Sequence, residues 1–100
     1  TRGTVSFTSW WAMNKVWAPE AWEDYVWWQM QDRKTLKRIN LLIKDIERNG
    51  LSKGIGKPEP LHGDLSGLWS RRIDECNRLV YRVVGTDVEI ASCRYHYGER

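Results

Sequence analysis

The sequence predicts an α+β domain, with two helices first and an antiparallel sheet second. Three observations carry this. Leu36, Ile39, Ile43 and Ile46 form an apolar stripe at helical spacing in the first half. Short runs rich in β-branched and aromatic residues fill the second half. Those runs are separated by brief turns, the spacing of hairpins rather than of βαβ crossovers.

Taken in order, Lys15-Val16-Trp17 reads as a short extended strand. Pro19 ends it, because a proline disfavours helical geometry in the residue before it and suits a first helical turn. Glu20, Glu23 and Asp24 follow, acids placed where a helix N-terminus favours negative charge. Trp22, Tyr25, Val26 and Gln29 recur at helical spacing, so a first helix is expected over 19–31. Asp32 is a natural N-cap for a second helix, which stops at Asn49-Gly50. The two helices form an antiparallel hairpin with Arg33, Lys34, Lys37 and Arg38 on or near its solvent side. From Leu51 to Gly67, glycines and prolines break any period, and a long loop is expected. Leu68–Ile73, Arg78–Val84 and Val88–Cys93 then read as strands.

The chain has 100 residues, which allows one domain: residues 1–13 read as an extension in which Met13 offers a start, and 14–100 as a single unit. The net charge of +3 is compatible with an anionic partner met by locally clustered cations. Seven Trp, four Tyr and one Phe exceed what so small a core holds, so some aromatic surface is expected to face a partner. Two cysteines without a CxxC or a ligand-spaced His pair argue against a metal site and fit reduced thiols in the cytoplasm. No apolar run approaches the roughly 20 residues needed to span a bilayer, so no membrane partner is expected.

Three polar features bear on chemistry. Glu59 stands between Pro58 and Pro60, and a carboxylate with so little backbone freedom is suited to act as a fixed base. Arg71 and Arg72 lie on opposite faces of one strand, and Arg78 and Arg82 share a face of the next, where guanidinium groups hold phosphates bidentately. Arg94-Tyr95-His96-Tyr97 supplies an imidazole near the C-terminus. Singly, each is as consistent with a turn acid, surface ion pairs or a packed histidine. Together they are the parts that RNA cleavage without a metal or cofactor requires: a base for the ribose 2′-hydroxyl, cations for the phosphorane, and an acid for the departing 5′-oxygen.

The strings Gly56-Lys57-Pro58-Glu59-Pro60-Leu61, Leu65-Ser66-Gly67-Leu68-Trp69-Ser70-Arg71-Arg72-Ile73, Arg78-Leu79-Val80-Tyr81 and Arg94-Tyr95-His96-Tyr97 resemble the YoeB/Txe family of bacterial toxins, and Trp22-Glu23-Asp24-Tyr25 fits its first helix. The resemblance implies a RelE/ParE-like fold and a ribosome-dependent mRNA endonuclease cutting at the decoding site. It implies a YefM-like antitoxin, the bacterial ribosome and mRNA as partners, a bacterial cytoplasmic location, no cofactor, and it admits a homodimer. It also implies the roles of Glu59 as general base, His96 as general acid, Arg78 as phosphate stabiliser and Tyr97 as the residue completing the site. Lys57, His62, Arg71 and Arg72 are then expected along the RNA. The alternative is a ParE-like or degenerate toxin that acts only by binding protein; relatives of that kind generally lack the combined Glu59, Arg78 and His96.

Departures from the family pattern are visible too. His62 stands where a lysine is common, which makes that cation titratable. Cys76 and Asn77 replace an acid and often a histidine, the Asn49–Gly56 turn is a residue longer, and Gly98-Glu99-Arg100 continues past the usual end.

Overall fold

A computed structural model describes residues 13–95. Strand β1 (Asn14–Trp17) leads into helix α1 (Pro19–Gln31) and helix α2 (Arg33–Asn49). A two-residue strand β2 (Glu59–Pro60), a 3-10 turn at Gly63–Leu65, and strands β3 (Trp69–Arg72), β4 (Arg78–Val84) and β5 (Asp87–Ser92) complete the order. The expected α+β class, helix hairpin and C-terminal strands are all present. The strands form one five-stranded sheet in the order β1-β5-β4-β3-β2. β2, β3, β4 and β5 pair antiparallel, whereas β1 runs parallel to β5, so the sheet is mixed rather than wholly antiparallel.

Local chemistry explains the helix ends. Pro19 opens α1, where its missing N–H costs nothing. Asp32 caps α2, its Oδ1 accepting from the amides of Lys34 and Thr35 and its Oδ2 from the Thr35 hydroxyl. Hydrogen bonds from Thr35, side chain first, hold the Asp32 carboxyl below the usual carboxylate range. Gly50 ends the helix at φ 89°, a left-handed value that glycine adopts without penalty.

The core lies between the helices and one face of the sheet. Ile39, Leu42, Ile43 and Ile46 of α2 pack with Ala21 and Trp28 of α1 against Leu79, Tyr81, Val88 and Ile90. The α2 stripe therefore matches the expected one, with Leu42 added. The α1 stripe does not: Ala21, Asp24 and Trp28 are buried, while Trp22 is 50% exposed and Val26 also faces outward. Aromatics on several sides of α1 concealed which side was the inner one. Asp24 is consequently not a solvated helix-dipole acid; it is buried and accepts the Cys93 amide at 3.1 Å. Trp22 still packs sideways, stacked on Tyr25 and edge-on to Trp17. Among the described residues no helix is long and apolar enough to cross a membrane.

Candidate active site

Among the described residues the sheet's other face carries no helix, and strand register decides what stands on it. Directly opposed residues project to the same side. Glu59 opposes Ser70, which opposes Val80. Arg72 opposes Arg78 in the next row, two residues further along β3. All five therefore share this face, on which Ser70 and Val80 are buried while Glu59 and Arg72 are exposed, with the Glu59 and Arg72 positions about 7–8 Å apart on the diagonal. Arg82 continues the same face and is occupied, its Nε bonded to Glu89 at 2.5 Å.

Each polar side chain has a local reason for its place. Gly56 and Lys57 both adopt positive φ, 83° and 52°, turning the chain into the edge of β3. The Arg72 amide fastens this turn by donating to the Gly56 carbonyl at 2.7 Å. Proline on both sides then holds Glu59 in extended backbone, and its carboxylate is exposed. Lys57 is likewise exposed, next to the Gly56 carbonyl that the Arg72 amide holds. The Arg78 guanidinium is half-buried and aimed by its own turn: Nη1 donates to the carbonyls of Asp74, Glu75 and Asn77. Among the described residues its remaining donors are uncommitted, and the Arg72 guanidinium has no partner.

The C-terminal segment is tied to this site from beneath. Cys93 is held by Asp24 at its amide and by the Trp28 indole N–H at its carbonyl, 2.8 Å away. Arg94 lies over the Trp27 ring at 3.4 Å. The Tyr95 amide donates to the Asn77 side chain at 2.6 Å, and the Tyr95 carbonyl accepts from the Arg78 amide. The described chain thus ends against Arg78, and the expected acid His96 and the expected Tyr97 lie outside the described residues. Asn77, one of the departures from the family pattern, supplies this tie while itself held by the Asp74 carboxylate.

Two expected cations fare differently. His62 is exposed at the start of the 3-10 turn, beyond Pro60. Arg71 is a correction: it is not on a phosphate-facing surface but wholly buried, on the helix side of the sheet. Its Nε donates to the Tyr81 hydroxyl, Nη1 to Asp45 and the Ile55 carbonyl, and Nη2 to the carbonyls of Gly50 and Lys53. All five guanidinium N–H groups are used, so none can meet a phosphate. The loop expected over 51–67 also needs correction, since β2 and the 3-10 turn lie within it. Asp45, Tyr81 and the loop glycines are supports that sequence reasoning missed; once Arg71 is known to face the core, a buried acid partner follows, but alternation alone does not show that it does.

A groove of about 370 Å³ lies further along this face, beside Leu68, Arg82 and Glu89. Exposed cations and a carboxylate on an open sheet suit a polymeric anion better than a small molecule. Among the described residues no three His, Cys, Asp or Glu side chains gather as a metal site.

The family model for YoeB-like toxins of bacterial type II toxin–antitoxin systems matches residues 17–97. The Escherichia coli K12 toxin YoeB is 53% identical over 85 residues, which is 85% of this chain and 100% of that protein. Among solved structures, a YoeB dimer from Staphylococcus aureus superposes with TM-score 0.81 at 50% identity, covering 85% of this chain and 98% of that one. A heterotetrameric YoeB–YefM toxin–antitoxin complex from the same organism gives TM-score 0.80 at 50% identity, with the same coverage.

Proposed function

The chain belongs to the family of YoeB-like toxins of bacterial type II toxin–antitoxin systems, and we propose that it is an endoribonuclease cutting translated mRNA on the ribosome. One observation carries the reading: Glu59, Arg72 and Arg78 stand on one open sheet face, and the chain leading to His96 is bonded to Arg78. In this mechanism Glu59 takes the proton of the ribose 2′-hydroxyl, whose oxygen attacks the adjacent phosphorus. Arg78, pre-aimed by the carbonyls of Asp74, Glu75 and Asn77, and Arg72 neutralise the phosphorane oxygens. His96 protonates the departing 5′-oxygen, assisted by Tyr97. The nucleophile belongs to the substrate, so the site need supply none of its own. Lys57 and His62 flank Glu59 along the path of the RNA backbone.

An open face with few base-reading groups leaves the in-line geometry to be imposed from outside, which is what the ribosomal decoding site would do. A YefM-like antitoxin would hold the toxin in check by covering the same cations, and a homodimer like that of the Staphylococcus aureus relative is expected in its absence. The bacterial cytoplasm is the setting these partners require.

Primer-extension mapping of a translated message, with and without ribosomes, tests the reading. Cuts within codons that appear only with ribosomes support it. Translation arrest without any new 5′ ends would leave only a protein-binding toxin.

A further inference from the structure

We propose that Arg71, with its partner Asp45, is the positioning residue that aims Glu59, a role that rests on Glu59 being the base. The loop from Gly50 to Gly56 wraps round the Arg71 guanidinium, which binds the carbonyls of Gly50, Lys53 and Ile55. Asp45 closes the bracket from α2, accepting from Arg71 and from the Ile55 amide at 3.0 Å. Tyr81 joins it by accepting from Arg71 and donating to the Leu51 carbonyl at 2.6 Å.

The loop has no slack around this bracket. A Cβ on Gly54 would lie 1.8 Å from Asp45 Oδ2, and one on Gly56 would lie 2.8 Å from Leu42 Cδ2 and 3.1 Å from Arg71 Cβ. Past Gly56, which the Arg72 amide holds, only Lys57 and Pro58 separate the bracket from Glu59. One dipeptide therefore works on both faces of the sheet: Arg71 fixes the loop from the core side, and Arg72 stands beside the carboxylate that the loop delivers. A buried charge with three of its donors on loop carbonyls, and the others on Asp45 and Tyr81, is costly unless each bond holds, so the loop has one low-energy path. Loss of the bracket should shift Glu59 without removing it.

The test compares the full-length parent with Arg71→Lys, Arg71→Ala and Gly54→Ala, none of which alters the open face. Two quantities are read: amide hydrogen exchange and cleavage kinetics. The bracket predicts faster exchange at Ile55 and Arg72 in every variant, while the β4–β5 amides keep the parent's rates. It predicts kcat lower by about 10- to 100-fold with KM unchanged, as for a misplaced catalytic group. Guanidinium ion should restore part of the rate of Arg71→Ala, and ammonium should not. Loop exchange equal to the parent's, exchange that rises equally through the whole sheet, or a normal kcat despite a loosened loop would each overturn the proposal. A parent that cuts no RNA would remove the endonuclease reading instead, and the exchange data would still decide whether Arg71 fixes the loop.

Discussion

Arg72 and Arg78 stand directly opposite one another across the β3–β4 ladder. Like charges in that relation cost stability, by about 0.2–1 kcal/mol on the scale of cross-strand pairs. The Arg78 guanidinium relieves part of this by donating to the carbonyls of its own turn, and among the described residues Arg72 has no such relief.

The first prediction separates the two roles. Arg72→Gln should leave the melting temperature unchanged or slightly higher, because it removes a repulsion. The same substitution should weaken RNA binding and flatten its salt dependence by about one phosphate contact. Calorimetry and binding measured at several salt concentrations check it. A destabilised Arg72→Gln with unchanged RNA affinity would make Arg72 structural.

A second prediction concerns the base and the acid. Glu59→Gln keeps shape and loses basicity, and His96→Gln removes the titrating group, so each should slow cleavage by about 10²–10⁴-fold. Ribosome association should survive in both. Messages with a 2′-deoxy ribose at the scissile position should resist the parent, and its products should carry a 2′,3′-cyclic phosphate and a 5′-hydroxyl. A 5′-phosphate product would show that water, not the 2′-hydroxyl, attacks.

These residues differ in how readable they were. The restricted backbone at Glu59 was legible because a proline stands on either side of it. α2 was legible because stripe, cap and terminal glycine agree at Asp32, Ile39 and Gly50. β2 was not, since two residues, one of them proline, carry no strand propensity; Glu59–Pro60 is a strand only because β3 pairs with it. Arg71 was misplaced for a related reason. Alternation along β3 shows that Arg71 and Arg72 point opposite ways, but not which way is inward. That depends on Asp45, 26 residues earlier on α2.

The Arg71–Asp45 pair yields the third prediction, in pH. Burial pushes the Asp45 carboxyl up, but hydrogen bonds from Arg71, the Ile55 amide and Asn49 outweigh it, so its pKa lies below the ordinary 3.8. A depressed folded pKa means stability that is fully present above the unfolded value and lost as pH falls through the folded one. Asp45→Ala should therefore cost about 3–5 kcal/mol near pH 7, where it strands a buried guanidinium. That difference from the parent should shrink below about pH 4, as the parent's own carboxylate takes up a proton. Urea denaturation of both proteins across pH 3–7 measures it; a gap constant with pH would mean that the Asp45 charge contributes nothing.

The last prediction concerns the tail that leads to His96. Trp28 is buried in the core, and its indole N–H reaches across to the Cys93 carbonyl while Asp24 holds the Cys93 amide. Two side chains of α1 thus grip one residue just before the Tyr95–Arg78 contact. Trp28→Phe keeps an aromatic ring in the core and removes the donor, so it should cost about 1–3 kcal/mol for a buried carbonyl that loses its partner. If Trp28 only packs the core, cleavage per folded molecule should equal the parent's once both are assayed well below their melting temperatures. If the grip sets where the chain past Tyr95 runs, kcat should fall by about tenfold or more at the same folded fraction, because a small displacement of a catalytic group is costly. Asp24→Asn should act in the same direction through the Cys93 amide. The two substitutions together should cost less than the product of their separate effects on kcat, since both release one segment. Full multiplicativity of the two would mean that α1 does not hold the tail as a unit.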